Sequence, residues 1–189
     1  MSHTQDVHFK GPNILICGTP GTGKSTLASE LSDLTSLTYV NISKLVKENE
    51  FYTGYDQELD CHVLDEDRLI DEIDEQMKEG GNIVDYHGCE FFPERWFDVI
   101  FVLRTENNIL YQRLEKRNYN TRKIQENIQC EIFQTILDEA KDSYRNDIVF
   151  ELCSNTPDEL HENLQHIQLW VENWKKNNQF INNNNNSCH

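Results

Sequence analysis

Residues 18–26 read GTPGTGKST and follow directly on the apolar run Ile14-Leu15-Ile16-Cys17. The spacing Gly-x-x-x-x-Gly-Lys-Ser, behind a strand-like run, is that of a loop that cradles a polyphosphate. Gly18, Gly21 and Gly23 let the backbone curl so that successive N–H groups point inward, and the positive end of the following helix adds to the attraction for anions. Lys24 then serves the β and γ phosphates, and Ser25 a Mg2+ ion. A glycine-rich turn before an amphipathic helix is the plain alternative. The four fixed positions coincide by chance in roughly one chain in a hundred of this length.

A phosphate loop does not say what is done with the nucleotide, so a second acidic residue matters. Asp85 ends the apolar segment Ile83-Val84. The carboxyl end of a parallel strand beside the first strand is where ligands gather in an open α/β sheet, and a carboxylate there could hold Mg2+ directly or through water. As a strand-end turn residue it would have no such role. His87, two residues on in DYHGCE, could orient an attacking water or phosphate, couple to Asp85, or be an ordinary hydrogen-bonded histidine. Arg113 and Arg117 stand four apart, on one helix face. Either both are solvated, or they join Lys24 in absorbing charge on a migrating phosphoryl group. Arg95 could reach a phosphate or pair with an acid.

The elements that must position these residues alternate β and α, the pattern of a parallel sheet covered on both faces. Strands are expected at 13–17, 37–42, 82–86, 98–103 and 148–152. Helices are expected at 24–34, at 43–50 with Ser43 as cap, at 64–79, 106–116 and 123–144, and from a cap at Asn155 or Thr156 to about Lys176. Residues 51–56 read as turn-rich. The stretch Arg117 to Asn120 is a candidate mobile lid, and the tail QFINNNNNSCH has the composition of a disordered segment.

With 189 residues and 37% hydrophobic content, the chain can build one good core, and a single domain is expected. No stretch approaches the roughly 20 apolar residues of a membrane span, and the start MSHTQDVHFKG is not a signal peptide, so a soluble intracellular protein is expected. The six cysteines lie far apart with no C-x-x-C, which suggests free thiols, neither a zinc site nor a disulfide framework. A net charge of -16 argues against affinity for nucleic acid backbones, DNA included, and against anionic membranes. It suits a basic macromolecular partner, or serves solubility alone.

The combination of GTPGTGKST, DEDRLIDEIDEQMKEGG, IVDYHGCEFFPERWFDVIFVLRT, RLEKRNYN and ENIQCEIFQTILDEA, in order from about Asn13 to Lys175, resembles the adenylate kinase isoenzyme 6 family, the coilin-interacting nuclear ATPase type of adenylate kinase. The phrase DYHGCEFFPERW is more telling than the phosphate loop, which many unrelated NTPases share. The resemblance implies an α/β P-loop nucleoside monophosphate kinase fold. It has a five-stranded parallel sheet flanked by helices, an NMP-binding segment at 41–64 and a short lid at 116–126, within a domain of residues 13–177. Residues 1–12 are then an N-terminal extension and 178–189 the Asn-rich tail. It implies conversion of ATP and AMP to two ADP, slow ATP hydrolysis, and a role in small ribosomal subunit maturation through a basic small-subunit ribosomal protein, in nucleus and cytoplasm.

Carried over by residue, the resemblance has Gly21, Thr22, Gly23, Lys24, Ser25 and Thr26 bind ATP phosphates and Arg117 contact ATP. Ser25 and Asp85 are the magnesium residues, and His87 is the catalytic-loop histidine, alongside Lys24, Asp85 and Arg117. One departure stands in the NMP segment: Ser43-Lys44 and Lys47 replace a Gly-Asp pair and an arginine. Lysine keeps the charge but not the two-pronged grip on a phosphate. Three readings follow: an AMP-phosphorylating enzyme, an ATP-driven assembly factor, and a GTPase-like switch. The last is weakened because no Asn-Lys-x-Asp guanine signature is present.

Overall fold

The computed structural model describes residues 11–57 and 61–185. Most of the expected N-terminal extension, residues 58–60 of the expected NMP-binding segment, and the end of the Asn-rich tail lie outside the described residues. In chain order the elements are β1 (Ile14–Cys17), α1 (Lys24–Thr35), β2 (Thr38–Asn41), α2 (Ile42–Asn49), β3 (Tyr52–Asp56), β4 (Cys61–Leu64) and α3 (Glu66–Glu79). Then come β5 (Asn82–Asp85), β6 (Val99–Arg104), α4 (Asn107–Lys116), α5 (Thr121–Ile132), α6 (Thr135–Ser143), β7 (Val149–Cys153) and α7 (Pro157–Asn185).

Five strands form one parallel sheet in the order β2-β5-β1-β6-β7. Successive side chains of β1 point to opposite faces and seed two cores. Leu15 and Cys17 pack with Leu69, Ile73 and Met77 of α3 and Leu137 and Ala140 of α6. Ile14 and Ile16 pack with Leu27, Ala28 and Leu31 of α1 and Leu164, Ile167 and Val171 of α7. Being covered on both faces is what the continuous apolar runs of β1 and β6 require. After β5 the chain crosses β1 to start β6 on its other side, so the order reverses at the carboxyl end of β1. That reversal opens a crevice there.

Four local expectations are corrected. Residues 52–56 are a strand, paired antiparallel with β4 in a separate hairpin with Tyr55 opposite His62. The cap of α2 is Asn41, whose Oδ1 accepts from the Lys44 N–H at 2.8 Å, and not Ser43; pairing of Asn41 with Asp85 ends the strand there. The stretch 123–144 is two helices, broken where Gln134 takes a left-handed conformation (φ 57°). Finally, α7 runs to Asn185, beyond Lys176. At its start Thr156 and Glu159 cap each other: Thr156 Oγ1 accepts from the Glu159 N–H at 3.2 Å, and Glu159 Oε2 from the Thr156 N–H at 3.4 Å. Among the described residues no helix is long and apolar enough to cross a membrane, and the five described cysteines are free.

Candidate functional site

The loop between β1 and α1 is fixed by sterics before any ligand arrives. Gly18 has φ +139°, and a Cβ there would stand 2.5 Å from the Leu103 carbonyl oxygen of β6. Gly23, with φ +99°, is the residue from which α1 starts. Thr22 is buried and latched on both sides: its hydroxyl donates to the Thr19 carbonyl at 2.9 Å, and its carbonyl accepts from Ser154 Oγ at 2.6 Å. Lys24 Nζ folds back on the loop, donating to the carbonyls of Gly18 (2.8 Å) and Thr19 (3.1 Å). Burial pushes its pKa down to about 8, with Arg117 adding to the effect and Asp85 opposing it.

Asp85 sits at the end of β5, only 4% exposed, and registers with Ile16 on one side and Asn41 on the other. Its Oδ2 accepts from Ser25 Oγ (2.6 Å), the Tyr39 hydroxyl (2.9 Å) and Asn41 Nδ2 (3.2 Å). A hydroxyl and a carboxylate at this separation are hard oxygen donors and suit Mg2+, which keeps its remaining octahedral positions for water and phosphate oxygens. Among the described residues no group of three or more His, Cys, Asp or Glu could hold a metal ion.

His87 follows in the next loop, its ring 4.1 Å from that of Tyr86. Although the ring is solvent-accessible, desolvation in the cleft and the Lys24 charge push it down to about 4 against the pull of Asp85. The imidazole is therefore neutral at pH 7 and able to accept a hydrogen bond. Burial pushes Tyr86 up to about 12, so its hydroxyl stays a donor.

Gly21, Gly23, Lys24, Ser25, Thr26, Asp85, His87 and Arg117 all line one cavity of about 740 Å3, as does Lys123; Thr22 does not line it. The same cavity is also lined by Ser43, His62, Leu64, Tyr86 and Phe91, together with Glu66, Glu90 and Glu139. Two arginines do not reach it. Arg113 donates to the carbonyls of Ser154 (2.7 Å) and Asn155 (2.9 Å) and so fastens α4 to the loop after β7. Arg95 pairs with Asp74 at 3.3 Å on the surface.

Support for the site also comes from a residue not singled out from the sequence. Glu131, 2% exposed, accepts from Thr19 Oγ1 at 2.6 Å through Oε2, and from Arg104 Nε (2.6 Å) and the Thr105 N–H (3.0 Å) through Oε1. It ties the phosphate loop, the end of β6 and the last turn of α5 together. The signal was present: Ile124, Ile128 and Glu131 recur at helical spacing, which puts a carboxylate on the inward face.

Comparison with known proteins agrees with this geometry. The family described as "AAA domain" matches residues 14–134. A shikimate kinase from Bacteroides thetaiotaomicron shares the fold, with a TM-score of 0.58 at 13% identity over 85% of this chain and 98% of that one. The adenylate kinase isoenzyme 6 homolog of Dictyostelium discoideum is 53% identical over 168 residues, 88% of this chain and 96% of its own length. That of Drosophila melanogaster is 50% identical over 165 residues, 87% of this chain and 94% of its own. With the phosphate loop, Asp85 and His87 facing one cleft at the sheet's reversal point, the chain belongs to the adenylate kinase isoenzyme 6 family of P-loop nucleotide kinases.

Proposed function

We propose that the protein transfers the γ-phosphoryl group of ATP to AMP, giving two ADP, with slow ATP hydrolysis as a side reaction. The observation that carries this reading is a cavity continuous from Lys24 and Ser25 to Ser43, His62 and Tyr86, which gives a donor and an acceptor nucleotide room to meet near Asp85. Residues 41–64 then form the acceptor segment and 116–126 the lid, inside a domain of residues 13–177.

Phosphoryl transfer needs little covalent help; it needs donor and acceptor in line and cations around the migrating group. Backbone N–H groups of Gly21 to Thr26 hold the donor phosphates, Lys24 leaves its carbonyl partners for the β and γ oxygens, and Arg117 closes from the lid. Mg2+ bound at Ser25 and Asp85 would supply charge neutralisation between the phosphates. Neutral His87 orients the acceptor oxygen, or a water when AMP is absent. With only Arg117 to Asn120 between α4 and α5, the lid excludes water incompletely, which accounts for hydrolysis. Steady-state ADP formation from ATP plus AMP, set against phosphate release from ATP alone, tests the reading. Phosphate release that AMP leaves unchanged, with no extra ADP, would overturn it.

The depressed Lys24 pKa gives a pH signature. Bound phosphates raise that pKa, so nucleotide affinity is fully present below about 8 and falls as pH rises through it, by up to about tenfold per pH unit. ADP dissociation constants measured from pH 7 to 9.5 should show this fall. Lys24→Arg, whose charge does not titrate in that range, should flatten it.

A second reading is favoured by the carboxylates Glu66, Glu90 and Glu139 in the cavity lining and by the exposed acids Asp67, Asp71, Glu72 and Glu75 of α3. In it the protein is an ATP-driven factor in small ribosomal subunit maturation, in nucleus and cytoplasm. It would hold a basic small-subunit ribosomal protein, with kinase chemistry secondary. Binding to such a protein should weaken steeply as salt passes about 0.15 M, where the Debye length is roughly 8 Å. Salt-insensitive binding would remove this reading.

A further inference from the structure

Asn41 touches two parts of the cleft with one amide. It ends β2 directly opposite Asp85 in the parallel register. Its Oδ1 accepts from the Lys44 N–H at 2.8 Å and so starts α2. Its Nδ2 donates to Asp85 Oδ2 at 3.2 Å and to the Tyr39 hydroxyl at 2.8 Å, and that hydroxyl in turn donates to Asp85 Oδ2 at 2.9 Å. The amide has one workable orientation. Flipped, it would set its NH2 group against the Lys44 N–H and its carbonyl oxygen against the Asp85 carboxylate, donor to donor and acceptor to acceptor.

Asp85 is 4% exposed, and these donors set the direction of its carboxylate. Ser25 Oγ completes the set at 2.6 Å. Ser25 and Asp85 supply the oxygens suited to Mg2+, whereas Tyr39 and Asn41 donate to the same Asp85 oxygen, Oδ2, that accepts from Ser25. Partners of this kind, one bond removed from a metal, set the direction of the ligand and its strength.

We propose that Asn41 is a positioning residue that aims Asp85 at the metal and fixes that aim to the start of α2. The acceptor-side helix and the metal-binding carboxylate are then held by one side chain. The inference rests on nucleotide binding at the phosphate loop and is independent of whether AMP is the acceptor.

Serine at position 41 separates the two duties. It is as good a helix cap as asparagine, but it has no amide to reach Asp85. Asn41→Ala removes both duties. The measurement is Mn2+ binding to the ADP complex, followed by electron paramagnetic resonance, together with metal-free ADP affinity and the melting temperature of each ligand-free protein. In Asn41→Ser, Mn2+ affinity should fall about tenfold, with ADP affinity within about twofold and melting within about 2 °C of the parent. Asn41→Ala should show the same loss of Mn2+ affinity while melting about 2–4 °C lower. Parental Mn2+ affinity in Asn41→Ser would overturn the proposal, as would a loss confined to Asn41→Ala, since the effect would then follow the helix cap. Neither AMP nor turnover enters the measurement, so failed transfer to AMP leaves it standing.

Discussion

Replacing Lys24 by alanine is expected to lower both AMP-dependent ADP formation and ATP hydrolysis by 100-fold or more, on the order of 3 kcal/mol of transition-state stabilisation. The ammonium is already inside the loop, 2.8 Å from the Gly18 carbonyl, where the loop's phosphate cradle lies. Stability should not follow activity. Burial holds the Lys24 pKa down, which means that the charged form is disfavoured in the folded protein, so removing it relieves a desolvation cost. The variant should melt within a few degrees of the parent, on the order of 1 kcal/mol, while turnover collapses. Near-parental turnover would remove Lys24 from the mechanism, and unfolding would remove the argument that its charge serves function over stability.

The opposite pattern is expected of Glu131→Ala. Arg104 would lose the partner of its Nε, and Thr19 and the Thr105 N–H would lose their acceptor, all in a region where Glu131 is 2% exposed. Breaking a buried ion pair from one side costs about 3–5 kcal/mol, because the remaining charge is left without compensation. Arg104 keeps an outer contact with Glu151 at 3.4 Å, which argues for the lower end. For a chain of this size about 3 kcal/mol corresponds to a fall in melting temperature of roughly 6–12 °C. Thermal denaturation by circular dichroism checks this, and a fall under about 2 °C would show that the Thr19–Glu131–Arg104 network does not hold the loop.

What could be read from the sequence follows from how local each feature's cause is. The phosphate loop was legible because Gly18 and Gly23 are demanded by backbone conformation and by contacts a Cβ cannot make. Strands β1, β5 and β6 were legible because burial on both faces writes an apolar run. The β3–β4 hairpin was not, because its residues are mostly exposed and its pairing depends on a partner beyond residues 58–60. The break between α5 and α6 falls at Gln134, a residue type that carries no stop signal. Asn41 and Ser43 are both good caps, and only the register with Asp85 decides between them.

The site divides in the same way. Lys24 and Ser25 are legible from the phosphate-loop motif, Asp85 and His87 from the end of a strand, and Arg117 from helix spacing and the family resemblance; all five line one cavity. Arg113 was grouped with Arg117 because they share a helix face, but one turn along α4 is enough to bring its guanidinium to the carbonyls of Ser154 and Asn155. Tyr39 and Asn41 act through Asp85 across the sheet, a relation that spacing along the chain cannot express.

On the function proposed here, one cleft carries a phosphoryl group from a nucleotide held at Lys24 to a second nucleotide in the same cavity. The most direct measurement is a single-turnover reaction with ATP labelled at the γ-phosphate, with excess AMP, quenched and resolved by chromatography. The label should appear in the β-phosphate of newly formed ADP, with a minor share as inorganic phosphate, and Lys24→Ala should abolish both. Label recovered only as inorganic phosphate, at a rate that AMP does not change, would contradict the account.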